Sequence, residues 1–271
     1  MIDLVASVLA AALWGALAPP PAASSGYRVI DTLKLGGDGG WDYLAFDPAS
    51  RRLFVSHGTH VVVVDADTKA AVGDIPDTPG VHGIAIASDL GRGFISNGRA
   101  ASATIFDLKT LGKIGEVKTG ENPDAILYDR ASGRVFTFNG RSGDATAFDA
   151  AHGTVAGTIP LGGKPEFAVA DGKGRVYVNI EDKSEIVALD AKTLQVKSRW
   201  PLKPCEEPSG LAFDSEHGRL FTVCSNRLMA VVDVSTGRVV TTLQIGSGVD
   251  AIPRPRPSLV PGTFVVLVVG K

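Results

Sequence analysis

NPDAILYDRASGRVFTFNG, Asn122 to Gly140, opens on an Asn-Pro turn signal, runs through a short apolar stretch, crosses a polar turn and closes on a second apolar stretch ending at Asn-Gly. Such a pattern reads as two antiparallel strands joined by a turn. One unit downstream, KPEFAVADGKGRVYVNIED, Lys164 to Asp182, repeats it closely. Outward from this pair, the aromatic of the second strand recurs as Phe54, Phe94, Phe136, Tyr177 and Phe221, at steps of 40, 42, 41 and 44 residues. An aspartate closing a third strand recurs as Asp65, Asp107, Asp149, Asp190 and Asp233, at steps of 42, 42, 41 and 43. Two independent anchors therefore agree on a period of about 42 residues.

Each period holds four short strand signals. An apolar strand (YLAFD, GLAFD) leads, and a turn rich in Gly, Ser and Arg follows. The aromatic strand comes next (LFVSHG, VYVNIE), then a third rich in Val, Ala and Ile (HVVVVDA, IVALDA) and a fourth (GTIPLGG, TTLQIGS). Four strands every forty-odd residues predict an all-β chain, a β-propeller of four-stranded blades: one blade cannot bury both its faces, whereas successive blades bury them against each other. Five complete blades are visible and a sixth is incomplete. The recurrent aspartates are expected to accept backbone hydrogen bonds in tight turns. Tyr27 to Gly37, YRVIDTLKLGG, matches a fourth strand, so the C-terminus is expected to complete its blade and remove an open edge.

These units resemble the YVTN-repeat propellers, the YncE-like proteins. The resemblance rests on the lead-ins GENPDAI, GGKPEFAV and CEEPSGLAFD, on the Gly-Arg turn into the second strand, and on YVNIED and FISNG; it covers about Tyr27 to Asp250. It implies an exported protein, periplasmic or secreted, with typically about seven blades, and it implies no particular reaction. From Tyr27 to Lys271 there are 245 residues, about 5.8 periods. After Ala251 the chain reads IPRPRPSLVPGTFVVLVVGK, and alternating Pro cannot occupy an inner strand. Residues 252–271 are thus expected to be a non-matching tail, the mark of a frameshifted or truncated end, and 26–251 the propeller repeats. Leu4 to Ala18 is an apolar run too short to span a bilayer, followed by small residues at Ala22 to Ser25. Residues 1–25 are read as a signal peptide, although Asp3 replaces the usual basic start; the alternative is an apolar helix packed on the domain.

Formal net charge is -2 and the pI about 6.2, which is no footprint for nucleic acid. Ser-His-Asp order, a nucleophile elbow, a Gly-rich phosphate loop and stacked tryptophans for a quinone cofactor are all absent from the sequence. The starts of the first strands align in one column: Asp42, His82, Asp124, Glu166, Ser209 and Asp250. The innermost strand of each blade starts at the channel mouth, so this column is expected to ring it. The ends of the second strands, His57, Asn97, Asn139, Ile180 and Cys224, are expected on the same face. Such a mouth is polar and electronegative, suited to a cationic ligand, a partner's Lys or Arg, or a divalent cation held by Asp124 and Glu166. The bland reading is that these groups only satisfy neighbouring backbone.

Three function classes follow: a binding scaffold for a small ligand or protein partner; a metal-dependent, lactonase-like hydrolase using Asp42, Asn97, Asp124, Asn139 and Glu166 types around a channel cation; and a redox accessory or quinoprotein-like subunit, which the missing stacked tryptophans disfavour. Cys205 and Cys224, the only cysteines, fall on the same face beside adjacent strands and suggest a disulfide in an exported chain, or else two thiols, one of them a metal ligand. Trp41 either walls a ligand pocket or packs between blades.

Overall fold

The structure is a computed structural model that describes residues 32–37 and 40–251. The chain divides into a unit Met1–Leu33, described only at Thr32 and Leu33, and a unit Lys34–Lys271 that carries the repeats. The expected signal peptide and the tail from residue 252 lie outside the described residues. So does most of the first half of the strand expected over Tyr27 to Gly37; its described part, 32–37, forms no strand, and Gly36 and Gly37 turn away with φ of 70° and 96°.

Five four-stranded antiparallel sheets follow in chain order. Blade 1 comprises β1 (Trp41–Asp47), β2 (Arg52–His57), β3 (His60–Asp65) and β4 (Ala71–Ile75). Blade 2 comprises β5 (Val81–Ala87), β6 (Arg92–Asn97), β7 (Ser102–Asp107) and β8 (Lys113–Lys118). Blade 3 comprises β9 (Pro123–Asp129), β10 (Arg134–Asn139), β11 (Asp144–Asp149) and β12 (Val155–Pro160). Blade 4 comprises β13 (Pro165–Ala170), β14 (Arg175–Ile180), β15 (Glu185–Asp190) and β16 (Gln195–Pro201). Blade 5 comprises β17 (Pro208–Asp214), β18 (Arg219–Cys224), β19 (Leu228–Asp233) and β20 (Arg238–Gln244). The all-β propeller architecture read from the period is the architecture observed.

The recurrent aspartates build the third-to-fourth-strand turns. Asp65 Oδ1 accepts from the backbone N–H of Asp67 at 3.0 Å and Thr68 at 2.7 Å. Asp107, Asp149, Asp190 and Asp233 repeat the same pair of bonds at 2.7–3.0 Å. A carboxylate accepting two backbone donors favours its charged form, and all five are held below the usual carboxylate range.

Apolar residues of the two middle strands fill the spaces between blades. Phe54, Phe94 and Phe136 of the repeating aromatic column are fully buried, as are Phe106 and Phe148 on the third strands. Phe94 meets Phe148 of the next blade edge-on at 5.9 Å, and Phe54 meets Phe106 at 5.6 Å. Trp200 lies against Tyr177 at 5.6 Å as part of the same packing. The inner strands β1, β5, β9, β13 and β17 follow one another, each packed on the next. Beyond them, Val249 to Ala251 begins a further inner position: a Cβ on Gly210 would stand 2.8 Å from the Asp250 carbonyl oxygen, as one on Gly83 would stand 3.1 Å from that of Asp124.

Cys205 and Cys224 are joined, with Cα atoms 5.7 Å apart and a sequence separation of 19, and both are buried. The bond ties the loop leading into β17 to the end of β18. Closing a loop of that length is worth about 3 kcal/mol in the chain-entropy model. Cys205→Ser/Cys224→Ser should therefore lose about 3 kcal/mol of unfolding free energy in a denaturant titration; a loss within error of zero would mean the linkage adds nothing to this blade.

Candidate functional site

Every inner strand carries the same irregularity near its start. Pairing with the second strand slips between Trp41 and Leu44, Val81 and Ile84, Pro123 and Ile126, Pro165 and Ala168, and Pro208 and Leu211. A bulge of this kind removes two residues from the ladder and re-aims their side chains. The residues released first are Asp42, His82, Asp124, Glu166 and Ser209, the column identified from the sequence. Hydroxyls on the second strands satisfy the loosened backbone: Ser56 Oγ accepts from Tyr43 N–H at 2.6 Å and donates to its carbonyl at 2.9 Å. Ser96 Oγ accepts from Gly83 N–H at 2.8 Å and donates to the Asp124 carbonyl oxygen at 2.5 Å, linking blade 2 to blade 3.

The residues released second form the floor. Tyr43 of blade 1 and Phe167 of blade 4 come from non-adjacent blades, and their ring centroids approach to 5.4 Å. Burial pushes the Tyr43 hydroxyl up to about 12, so it stays protonated.

Above this floor Asp42, His82 and Asp124 converge. His82 Nδ1 donates to Asp42 Oδ2 and stands 3.8 Å from Asp124 Oδ1. One donor atom from each of the three lies within 4.8 Å of the others. The hydrogen bond to Asp42 raises the His82 pKa, assisted by the charge of Asp124 and opposed by burial. Burial raises Asp124, and the like charges of Asp42 and Asp250 add to it against His82 and Lys164. Gly98, after β6, lets the imidazole lie flat against the turn: a Cβ there would sit 2.8 Å from His82 Nε2.

Glu166 stands apart from that trio in its chemistry. Lys164 Nζ pairs with it at 2.7 Å and also pairs with Glu181. Burial, then a hydrogen bond shared with Glu181, pushes Glu166 up to about 7 despite Lys164, while Glu181 is lowered. Lys164 stands beside Glu166, so the electronegative character expected of the mouth rests on Asp42, Asp124 and Asp250. Of the two residues expected to hold a cation, Asp124 clusters with Asp42 and His82, while Glu166 is engaged by Lys164 and Glu181.

The ends of the second strands lie on the same face but turn into their own blades. His57 stacks on Trp41 at 3.7 Å, and its Nδ1 is 3.3 Å from His60 Nε2, so Trp41 packs within blade 1. Asn97 donates to Ser102 Oγ at 3.1 Å and Thr104 Oγ1 at 2.9 Å. Asn139 donates to Asp144 at 2.6 Å and Thr146 at 3.1 Å, and accepts from Thr137 at 3.0 Å. These residues do not join the inner column. Lys164 and Glu181 are the members that column alignment misses. The available signal was Glu181 itself, the one charged residue among the equivalents Gly58, Gly98, Gly140 and Ser225.

The sequence matches no family model and no curated protein. Solved structures do resemble it. Dihydro-heme d1 dehydrogenase NirN, in complex with DHE, superposes with a TM-score of 0.61 at 18% identity, covering 75% of this chain and 46% of that one. The β-propeller domain of Cps50 (Swd1) from Myceliophteria thermophila superposes with a TM-score of 0.64 at 10% identity, covering 75% and 67%. The chain therefore spans less than half the length of the first. At these identities the likeness establishes the propeller fold.

The Glu166 proton carries a measurable signature. The folded chain retains it up to about pH 7, whereas its ordinary value is 4.5. The folded state thus binds more protons across that interval, and stability falls as pH rises through it. Glu166→Gln should flatten this dependence between about pH 5 and about pH 8, and each 1 kcal/mol or so recovered at the alkaline end should raise Tm by roughly 2–4 °C. A variant with the wild-type slope would place the proton elsewhere.

Proposed function

We propose that this chain is an exported, YncE-like β-propeller that serves as a binding scaffold and holds a cation at its channel mouth. The observation that carries the reading is the convergence of Asp42, His82 and Asp124, one from each of three successive inner strands, with donor atoms within 4.8 Å of one another. The Tyr43–Phe167 floor beneath them favours a bowl that is filled from one face. One imidazole and two carboxylates suit zinc or another divalent transition ion better than calcium, which takes six to eight oxygens. His82 would give up its Nδ1 proton to serve, so occupancy should weaken as pH falls. Export is supported by the apolar run Leu4 to Ala18 and by the Cys205–Cys224 bond, a linkage typical of oxidising compartments. Within this reading 1–25 is the export signal, 26–251 the propeller and 252–271 a tail outside the repeat; the protein is periplasmic or secreted. Among the described residues no helix is long and apolar enough to cross a membrane.

Metal analysis by mass spectrometry on untagged protein tests the reading. About one equivalent of divalent metal is expected, lost in Asp42→Asn/Asp124→Asn. Metal-free protein that also shows no thermal shift with zinc, manganese or calcium would remove the cation from the proposal.

A second reading, the lactonase-like hydrolase, is favoured by one observation: Glu166 lies in the same column and its carboxyl is pushed up to about 7, where a general base works well. A divalent ion at the trio would polarise a carbonyl. Glu166 would then accept the proton of the attacking water. Turnover of a lactone panel that disappears on chelation and in Glu166→Gln is the expected result of that reading; inert metal-loaded protein would retire it.

A further inference from the structure

Two recurring apolar columns fill the four seams between the five blades, and both face the blade that follows. The second strands contribute Phe54, Phe94, Phe136 and Tyr177, each buried in a cluster shared with the next blade. The fourth strands contribute the residues paired with Val61, Ala103, Ala145 and Ile186. These are Ile75, Val117, Ile159 and Trp200, and the first three are 1%, 4% and 2% exposed.

Blade 5 carries both columns but meets no further blade among the described residues. Phe221 is only half-buried. Leu243, paired with Met229 in the same register, is 50% exposed. Neither belongs to the clusters that fill the four seams. Among the described residues β17 packs on β13, with no comparable packing on β1, so blade 1 does not close onto this face. An apolar sheet face of this kind is one that a neighbouring layer normally covers.

The chain that comes next has the composition to do so. Residues 249–251 already start a sixth inner position against Gly210. Residues 252–271 lie outside the described residues, and Pro253, Pro255 and Pro257 set them outside the strict repeat. The aromatic anchor of the repeat nevertheless continues into them: Phe264 follows Phe221 by 43 residues, within the 40–44 range of the earlier steps. A Pro-Gly turn signal precedes Phe264 and the apolar run VVLVV follows it, as a turn and a strand surround each earlier anchor. The second strand starts 10 or 11 residues after the first in all five blades, and Gly262 follows Val249 by 13. Alternation then fixes which side chains would meet blade 5. Val176, Val178 and Ile180, around Tyr177, face back onto blade 3. The same offsets around Phe264 select Thr263, Val265 and Leu267.

We propose that the free face of blade 5 is a docking surface whose occupant is this chain's own segment 262–267, laid against Phe221 and Leu243 as the second strand of a sixth, partial blade. Residues 252–261 would serve as the connection, which needs no ladder bonds at its prolines. Asp250, whose charge acts on Asp124 at the mouth, stands at the head of that connection. Its seat in the inner column would therefore depend on the docking.

Hydrogen exchange of the full chain, read by mass spectrometry, tests the assignment. Amides 263–267 are expected to exchange at least about a hundredfold more slowly than an unstructured chain. Phe221→Ser/Leu243→Ser should return them to the unstructured rate while blades 1 to 3 keep theirs. Val265→Asp/Leu267→Asp should do the same, whereas Val266→Asp, on the opposite side of the segment, should not. Unstructured rates in the unaltered chain, or protection that survives either double variant, would overturn the inference. So would protection that fades on dilution together with a dimeric mass by light scattering, which would give the face to a second copy.

Discussion

A bulge at the start of each inner strand governs how this propeller presents chemistry. A regular ladder would alternate the side chains of that strand between its two faces and leave them facing neighbouring blades. By dropping two residues from the pairing, each blade instead offers one polar group upward and one smaller or aromatic group inward. The second strands stabilise that departure with Ser56 and Ser96, whose hydroxyls bond backbone that the ladder no longer serves. Mouth and floor are thus two consequences of one local defect repeated around the fold. Where the second group is Gly83 or Gly210, the next blade comes close enough that a Cβ would crowd its backbone.

Charge at the mouth is divided in the same stepwise manner. The first three blades contribute Asp42, His82 and Asp124, in which the imidazole stands between two carboxylates that repel each other. The fourth contributes Glu166, whose proton is retained through burial and through Glu181. The fifth contributes an uncharged Ser209. The bowl is therefore asymmetric although the repeat that builds it is regular: one side gathers an imidazole and two carboxylates, and the other holds a carboxyl pushed up to about 7 beside a lysine.

The period, the four strands per blade and the turn aspartates were legible in the sequence because each depends on neighbours within a dozen residues. Asp65 and its four equivalents need only the next turn of chain to satisfy them. The inner column was legible as a column for the same reason. Side-chain direction at the second-strand ends was not. His57, Asn97 and Asn139 occupy the expected face, but they pair opposite the residue before the bulge, and regular alternation turns them into the blade. Lys164 escaped notice because its role depends on Glu166 in β13 and Glu181 in the turn after β14, which meet only through folding.

Because Asp42, His82 and Asp124 each belong to a different blade, no single blade holds the cluster. The hairpins close on local turns, but Asp42, His82 and Asp124 come within reach only when three blades have docked. Anything that binds all three favours the docked arrangement over every partly opened one, by mass action. Occupancy of the mouth and cohesion between blades would therefore be a single linked equilibrium: a ligand seated there would act as a clasp, and loosening either of the two seams would release it.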